Sequence, residues 1–352
     1  MPLPEIMKKG YRHLIYCAVI LAVIAVILNG FYNGNEEAQY AQSGKEEGNA
    51  STGSEQEQPA IPDETEIAGE NNPANEKLLP SSKLLSWTGE SKPIVEGISS
   101  CTIIKDGEYW MYYTAKGIEL AKSSDGVNFT FVGTAIDIKD SKEGLDMVSN
   151  PSVFATKEGK YRMIYEGSKR EDNRNNRRLY SAISSDGLAW AQEEGVRFQD
   201  EGDGKAGELF TSVPEIIRLD DGRLRMYYTR GITSAIAISN DDGITWTKEK
   251  NLDFGRIALD IDIARLDDGT YKLFFTSFDS EFGKGEQYMM SASSIDGVNF
   301  ALDEGKRISP SGGSSMILDP DTVKTPDGIY RMYYGKSSNG YSFKIHSSTS
   351  TN

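Results

Sequence analysis

Histidine is nearly absent from this chain. Its 352 residues contain two, His13 and His346. Ser-His-Asp hydrolysis, histidine-ligated zinc and histidine general bases are therefore poorly supplied, and His346 reads as a strand residue. Cysteine is as scarce: Cys17 and Cys101. Only Cys101 falls in sequence of globular composition, so no internal disulfide can form there and the core alone must hold the fold. Cys101 sits among Ile and Thr and reads as a buried, inert thiol. No Gly-rich loop opens a helix, so a phosphate cradle is missing. No basic stripe is present and the net charge is −15, which argues against nucleic acid.

The charge and the apolar residues are unevenly spread, in three zones. Residues 1–31 place Lys8, Lys9, Arg12 and His13 before an apolar run from Leu14 to Ile27 that continues through Phe31. About 18 apolar-dominated residues just span a bilayer as a helix. Positive charge before the run and acidic sequence after it predict an N-in, C-out membrane anchor with the rest extracytoplasmic. A cleaved signal, leaving a secreted protein, is the alternative, although Ala41-Gln-Ser43 lies far beyond the run. Cys17 lacks the small residues of a lipoprotein signal. Residues 32–80 hold eleven Asp or Glu against two Lys. With little to bury, this zone is expected to be a disordered, self-repelling tether; its Asn49-Ala-Ser51 triplet is a sequon only in a glycosylating host. Residues 81–352 form one domain.

That domain repeats one phrase five times: a turn ending in Gly, then a short aromatic strand. The copies are Asp106-Gly107-Glu-Tyr-Trp-Met-Tyr-Tyr-Thr114, Glu158-Gly159-Lys-Tyr-Arg-Met-Ile-Tyr-Glu166, Asp221-Gly222-Arg-Leu-Arg-Met-Tyr-Tyr-Thr229, Asp268-Gly269-Thr-Tyr-Lys-Leu-Phe-Phe-Thr276 and Asp327-Gly328-Ile-Tyr-Arg-Met-Tyr-Tyr-Gly335. The steps between the glycines are 52, 63, 47 and 59 residues, the size of a propeller blade. A second phrase follows four of them: a short strand, an Asp-Gly turn at Gly126, Gly187, Gly243 and Gly297, then an aromatic (Phe129, Trp190, Trp246, Phe300) opening another strand. A third strand precedes each copy, marked by Pro151, Pro214 and Pro320, with Ser99 and Ile261 at the same offset. Each unit thus reads as four strands, A to D. The fifth lacks D, and Leu85-Ser-Trp87-Thr-Gly at the other end can supply it. The expected fold is an all-β, five-bladed β-propeller whose N-terminal strand closes the last blade, preceded by one transmembrane helix and a disordered linker. A β-sandwich would not need this order five times.

Ser239-Asn-Asp241-Asp-Gly243-Ile-Thr-Trp246 matches the Asp-box of sialidase-type propellers. Aligned on Gly, the other copies place Ser124, Ser185 and Ile295 at Asp241, so Asp242 reads as the shared turn residue and the match as drift.

In such a blade the short A–B and C–D turns share one face. The long B–C loops and the crossovers share the other, where binding residues concentrate. Strand A lines the axis, and alternation pairs Ile98 with Ser100, Asn150 with Ser152, Val213 with Glu215, Asp260 with Asp262 and Asp319 with Asp321. Five carboxylates are expected at one channel mouth. Like charges that close raise one another's pKa or bind a cation. Asp260, Asp319 and Glu215 are the candidate catalytic groups, as acid and base or nucleophile in glycoside cleavage. Asp262 and Asp321 are candidate ligands for Ca²⁺, the only cofactor the residues suggest. Asn150, Glu166 and Arg230 are candidate substrate-binding residues, with Arg170, Arg174, Arg177 and Arg178 in the blade-two loop. Alternatively, some of these acids merely bond local backbone N–H groups.

These motifs resemble the arabinanase/levansucrase/invertase superfamily of five-bladed propellers: Asn150-Pro-Ser-Val, Asp319-Pro-Asp-Thr-Val, Asp-Gly-x-Tyr-x-Met-Tyr-Tyr and Ser-Ser-Asp-Gly. The resemblance covers about residues 81–352. It implies a carbohydrate-active protein; glycosidases of this group use an Asp from blade one, an Asp from blade two and a Glu from blade three. This chain has Ile98, Asn150 and Ser212 at those positions, so the triad does not carry over. The expectation is a membrane-anchored, extracytoplasmic glycoside hydrolase-like monomer acting on a glycan or polysaccharide. The alternative is a non-catalytic propeller that binds polysaccharide or a surface partner.

Overall fold

The computed structural model describes residues 85–90, 92–169, 177–201, 211–279, 286–311 and 316–351. The apolar run, the acidic linker, Arg170 and Arg174 lie outside them. Among the described residues no helix is long and apolar enough to cross a membrane.

The chain folds as five antiparallel sheets around an axis. Two short strands, β1 (Ser86–Gly89) and β2 (Val95–Glu96), come first. Blade one is β3 (Ile98–Lys105), β4 (Glu108–Thr114), β5 (Ile118–Ser123) and β6 (Thr130–Ile136). Blade two is β7 (Met147–Ala155), β8 (Tyr161–Ser168), β9 (Arg178–Ser184) and β10 (Ala191–Gln192). Blade three is β11 (Thr211–Arg218), β12 (Leu224–Arg230), β13 (Thr233–Ser239) and β14 (Thr247–Leu252). Blade four is β15 (Leu259–Arg265), β16 (Tyr271–Phe278), β17 (Gln287–Ser294) and β18 (Ala301–Leu302). Blade five is β19 (Met316–Lys324), β20 (Tyr330–Ser337) and β21 (Lys344–Thr351), with β1 paired to β21 as its outer strand. Inner strands of successive blades touch in order, and β19 against β3 closes the ring.

The aromatic phrase locks four of the five blades to the next. Five residues after each repeat glycine stand Tyr112, Ile164, Tyr227, Phe274 and Tyr333. The hydroxyls of Tyr112, Tyr227 and Tyr333 donate to the carbonyls of Gly187, Gly297 and Gly126 in the following blade's C–D turn, at 2.8, 2.8 and 2.9 Å. The aromatic ending each of those turns meets the same ring edge-on: Trp190 on Tyr112, Phe300 on Tyr227 and Phe129 on Tyr333. Trp87 meets Phe274 the same way, at 5.6 Å between centroids. The N-terminal segment therefore does for blade five what strand D does elsewhere. Each such ring pair contributes about 0.5–1.5 kcal/mol beyond its burial.

A second repeat of chemistry crosses each sheet. Three residues after the glycine, Arg162, Arg225, Lys272 and Arg331 pair with Glu193, Glu249, Asp303 and Glu90. Blade one has Trp110 there, with the Lys122 ammonium 3.3 Å from its ring centroid.

The C–D turns correct one expectation. The hydroxyls of Ser123, Ser184, Ser239 and Ser294 accept the N–H groups of Gly126, Gly187, Gly243 and Gly297. The turns align on serine, so the shared turn acid is Asp241, equivalent to Asp125, Asp186 and Asp296. Asp242 is the extra residue. It adopts φ 60° and reaches the Lys157 N–H and the Arg218 guanidinium.

Candidate functional site

The axis is lined by the first strand of each blade, and here the alignment taken from the glycines fails for blade one. Its A–B hairpin is a two-residue turn, Asp106-Gly107, flanked by the pair Lys105–Glu108. The other four have five-residue loops, such as 156–160 between Ala155 and Tyr161. The shorter turn moves β3 by one position. Ser99 and Cys101, not Ile98 and Ser100, are equivalent to Asn150 and Ser152. The signal was legible: only this copy has its strands close directly on Asp-Gly.

A bulge at these positions bends every inner strand. Ser99, Asn150, Val213, Asp260 and Asp319 all have φ between 46° and 52°. Such a backbone costs a non-glycine residue about 1–3 kcal/mol. All five blades share it, so it belongs to the scaffold. It also breaks strict alternation: the five carboxylates do not form one ring, and fall into two groups.

The mouth group is Asp260 and Asp319. Asp319 is 6% exposed and accepts the Ser99 hydroxyl at 2.5 Å. The Asp319 N–H in turn bonds the Asp260 carboxylate, and the Asp260 N–H reaches Thr229 Oγ1 at 2.9 Å. Burial pushes Asp260 up to about 6, against the Thr276 hydroxyl and the Asp319 N–H, which favour its charged form. Burial and then the neighbouring Asp260 hold Asp319 well above the usual carboxylate range, with Ser99 pulling the other way. Beside the pair, blade two contributes a closed network. Asn150 Nδ2 donates to Glu166 Oε2 at 2.6 Å and to Ser212 Oγ at 3.2 Å. Glu166, fully buried, also takes the Ser212 hydroxyl and pairs with Arg177.

The inner group is Glu215, Asp262 and Asp321. It belongs to a set of stitches in which a side chain on one inner strand holds the backbone of the next. Cys101 Sγ takes the Val153 N–H at 3.2 Å, Ser152 Oγ the Ile216 N–H at 3.2 Å and Asp321 Oδ1 the Thr102 N–H at 3.1 Å. Asp262 takes the Thr322 N–H. Burial raises all three acids. Asp262 and then Asp321 push Glu215 further, and Asp262 reaches about 7. Cys101 is buried and free, and its thiol is raised in the same way.

The donors do not fit a Ca²⁺ cage, which needs six to eight oxygens. Both oxygens of Asp321 are committed to Thr102. Asp262 Oδ2 lacks a hydrogen-bond partner, but among the described residues no three His, Cys, Asp or Glu side chains converge to hold a metal. The space at the axis, between Ser99, Asn150, Glu215 and Asp319, is about 10 Å³, room for about one water.

The structure thus brings Asp260 and Asp319 together, and Asn150 with Glu166. Glu215 lies with the inner group and also lines the axial space beside Asp319. Arg230 is buried and pairs with Asp200, which also takes Lys248 and the Tyr228 hydroxyl. Sequence reasoning missed Ser99, the Ser212 contact and Asp200.

No protein-family model matches the sequence, and no curated protein matches it. Solved structures do. A thermostable family-43 glycoside hydrolase superposes with a TM-score of 0.60 at 16% identity, over 74% of this chain and 91% of that one. An endo-arabinase from Bacteroides thetaiotaomicron gives 0.57 at 14%, over 75% and 98%. An endo-1,4-beta-xylanase from the same organism gives 0.56 at 14%, over 72% and 90%. This chain shares the fold of the five-bladed glycoside hydrolases. Family-43 enzymes belong to the arabinanase/levansucrase/invertase superfamily, so the resemblance seen in the motifs holds at the level of fold. At the three glycosidase positions implied by that resemblance this propeller carries Ser99, Asn150 and Ser212, and its mouth acids come from blades four and five instead.

Proposed function

We propose that this propeller acts on glycans through Asp260 and Asp319. The observation that carries this reading is the coupling of two acids at the starts of the inner strands of blades four and five. Burial and then the neighbouring Asp260 hold Asp319 well above the usual carboxylate range. A proton-holding acid beside a second carboxylate is the pairing that glycoside cleavage uses. Asp319 is the proton-bearing partner and donates to the leaving glycosidic oxygen as the anomeric C–O bond breaks. Water attacks the anomeric carbon and gives its proton to Asp260. The charge asymmetry around residues 14–31 supports a membrane-anchored, extracytoplasmic placement; cell fractionation with protease protection tests that separately.

A second reading, glycan binding without cleavage, is favoured by the small axial space and the 6% exposure of Asp319. One experiment separates them. Linear arabinan, xylan and β-1,3-galactan are incubated with the protein and with Asp260→Asn and Asp319→Asn, and both products and binding are followed. Catalysis predicts a loss of about 100-fold or more in turnover in each variant, with binding kept. Turnover indifferent to both substitutions sinks the assigned pair; binding without turnover in the wild type selects the second reading.

A further inference from the structure

The C–D phrase of the blades occurs a fifth time, in a different place. Ser337-Ser-Asn-Gly-Tyr-Ser-Phe343 follows the pattern of Ser123-Ser-Asp-Gly-Val-Asn-Phe129. Its hydrogen bonds are the same. Ser337 Oγ accepts the Gly340 N–H at 2.9 Å, as Ser123 Oγ accepts that of Gly126 at 2.9 Å. Asn339 Oδ1 accepts the N–H groups of Tyr341 and Ser342 at 2.9 and 3.0 Å. Asp125 Oδ1 accepts those of Val127 and Asn128, both at 2.8 Å. The four C–D copies stand on the face opposite the mouth. This one joins β20 to β21, and Ser337 pairs with Met316 at the start of β19, so it stands on the mouth face.

The turn meets both sides of the seam that carries Asp319. A Cβ on Gly340 would stand 3.3 Å from Met316 Sδ, three residues before Asp319 on β19. The Phe343 carbonyl takes the Gly97 N–H at 3.2 Å, two residues before Ser99. Phe343 itself is buried.

Two substitutions set this copy apart, and both move its chemistry toward one class of ligand. Asn339 replaces the aspartate of the other four turns, and no charged residue stands between Ser337 and Phe343. Tyr341 replaces the aliphatic residue that follows glycine in the others, Val127, Leu188, Ile244 and Val298. Tyr341 is 40% exposed; among the described residues the one aromatic more exposed is Phe131, on the outer strand of blade one. An aromatic that serves packing turns inward, as Phe343 does. Ser338, Asn339 and Ser342 around the ring are exposed as well. A backbone pinned by its own side-chain bonds presents this Tyr, Ser and Asn set at small cost in ordering entropy.

We propose that the 338–342 turn is a sugar-binding subsite on the mouth face. The Tyr341 ring stacks on the apolar C–H face of one sugar residue, and the flanking hydroxyls and amide bond its hydroxyl groups. The turn carries no charge, so the sugar it suits is neutral. The inference rests on the glycan reading above and assigns part of its binding site.

In the test, arabinotriose, xylotriose and β-1,3-galactotriose are titrated calorimetrically into the wild type, Tyr341→Ala and Tyr341→Phe. Leu188→Ala, at the same position of a turn on the far face, is the control. Tyr341→Ala is expected to weaken affinity, or raise KM for a sugar that is cleaved, by about tenfold. Tyr341→Phe keeps the ring and stays within about threefold of the wild type, and Leu188→Ala is unchanged. Tyr341→Trp reads the contact directly: emission from its exposed indole moves to shorter wavelength as the sugar covers it. Wild-type affinity in Tyr341→Ala, or an unmoved Tyr341→Trp emission at saturation, overturns the subsite and leaves the glycan reading standing. Equal losses in Tyr341→Phe and Tyr341→Ala overturn the stacking. A folded wild type that neither binds nor cleaves any of the three sugars overturns both readings.

Discussion

Ser99 donates its hydroxyl to Asp319 at 2.5 Å across the seam where blade five meets blade one. The bond ties the last inner strand to the first and holds one acid of the mouth pair. Because it favours the ionised form of Asp319, Ser99→Ala raises that group's proton affinity further. The alkaline limb of the pH profile, for turnover or for glycan binding, is expected to move to higher pH. Loss of the buried bond lowers stability by about 1–3 kcal/mol. An unmoved limb with an intact fold would remove Ser99 from the tuning of Asp319.

The channel sets an unusual dependence of stability on pH. Asp260, titrating near 6, and Asp262, near 7, lie above the unfolded carboxylate value of about 3.9. Between those limits the folded chain binds more protons than the unfolded chain. Their stabilisation is full below about 4 and is lost as pH rises through 6 and 7. The turn acids oppose this at the acid end: Asp296 is held near 2 by backbone N–H groups that outweigh its burial, and its contribution fails as pH falls through that value. The thermal midpoint is expected to peak in mildly acid solution and to fall by about 5 °C or more toward pH 8. Asp262→Asn, which removes the titrating group and keeps its shape, should flatten that fall. A midpoint rising from pH 5 to 8 would show that the inner carboxyls are not held protonated.

The five blades, their strand order and the closing N-terminal segment were legible because each repeat carries its own turn glycine and aromatic, and Trp87 stands where a blade-five aromatic is missing. The site was half legible. Asp260 and Asp319 were picked out as uneven positions in an even repeat, and they do meet. Their separation from Glu215, Asp262 and Asp321 was hidden because a bulge at φ near 50° breaks alternation without a glycine to announce it. Ser99 was hidden by the one-residue shift of β3 that the shorter blade-one hairpin imposes. Arg230 and Glu166 looked like free polar ends of strands; their partners, Asp200 and Arg177, come from connections whose path no repeat fixes.

Two glycines separate backbone strain from packing. Gly159 and Gly187 have nearly the same φ, 76° and 79°. A Cβ on Gly159 meets nothing within 4 Å, whereas one on Gly187 stands 2.9 Å from the Tyr112 hydroxyl oxygen. Gly159→Ala is expected to cost about 1 kcal/mol, from the left-handed backbone alone. Gly187→Ala adds the loss of a blade-to-blade hydrogen bond and should cost about 2–3 kcal/mol. Chemical denaturation of the two variants measures the difference, and equal losses would mean that the tyrosine locks contribute nothing.

The closing strand makes the last prediction. Removing the chain up to and including Glu90 deletes the β1 ladder on β21, the Trp87–Phe274 contact and the partner of Arg331, whose side chain is 9% exposed. An unpaired buried cation alone costs about 3–5 kcal/mol. The shortened propeller also leaves β21 bare beyond the short β2 pairing at Lys344 and Ile345, an edge that invites pairing with other chains. A marked fall in thermal midpoint together with concentration-dependent self-association, read by light scattering, is the expected result. Restoring residues 85–90 with Trp87→Ala should return the monodisperse state and only part of the stability, because the ladder covers the edge while the ring contact joins blade five to blade four.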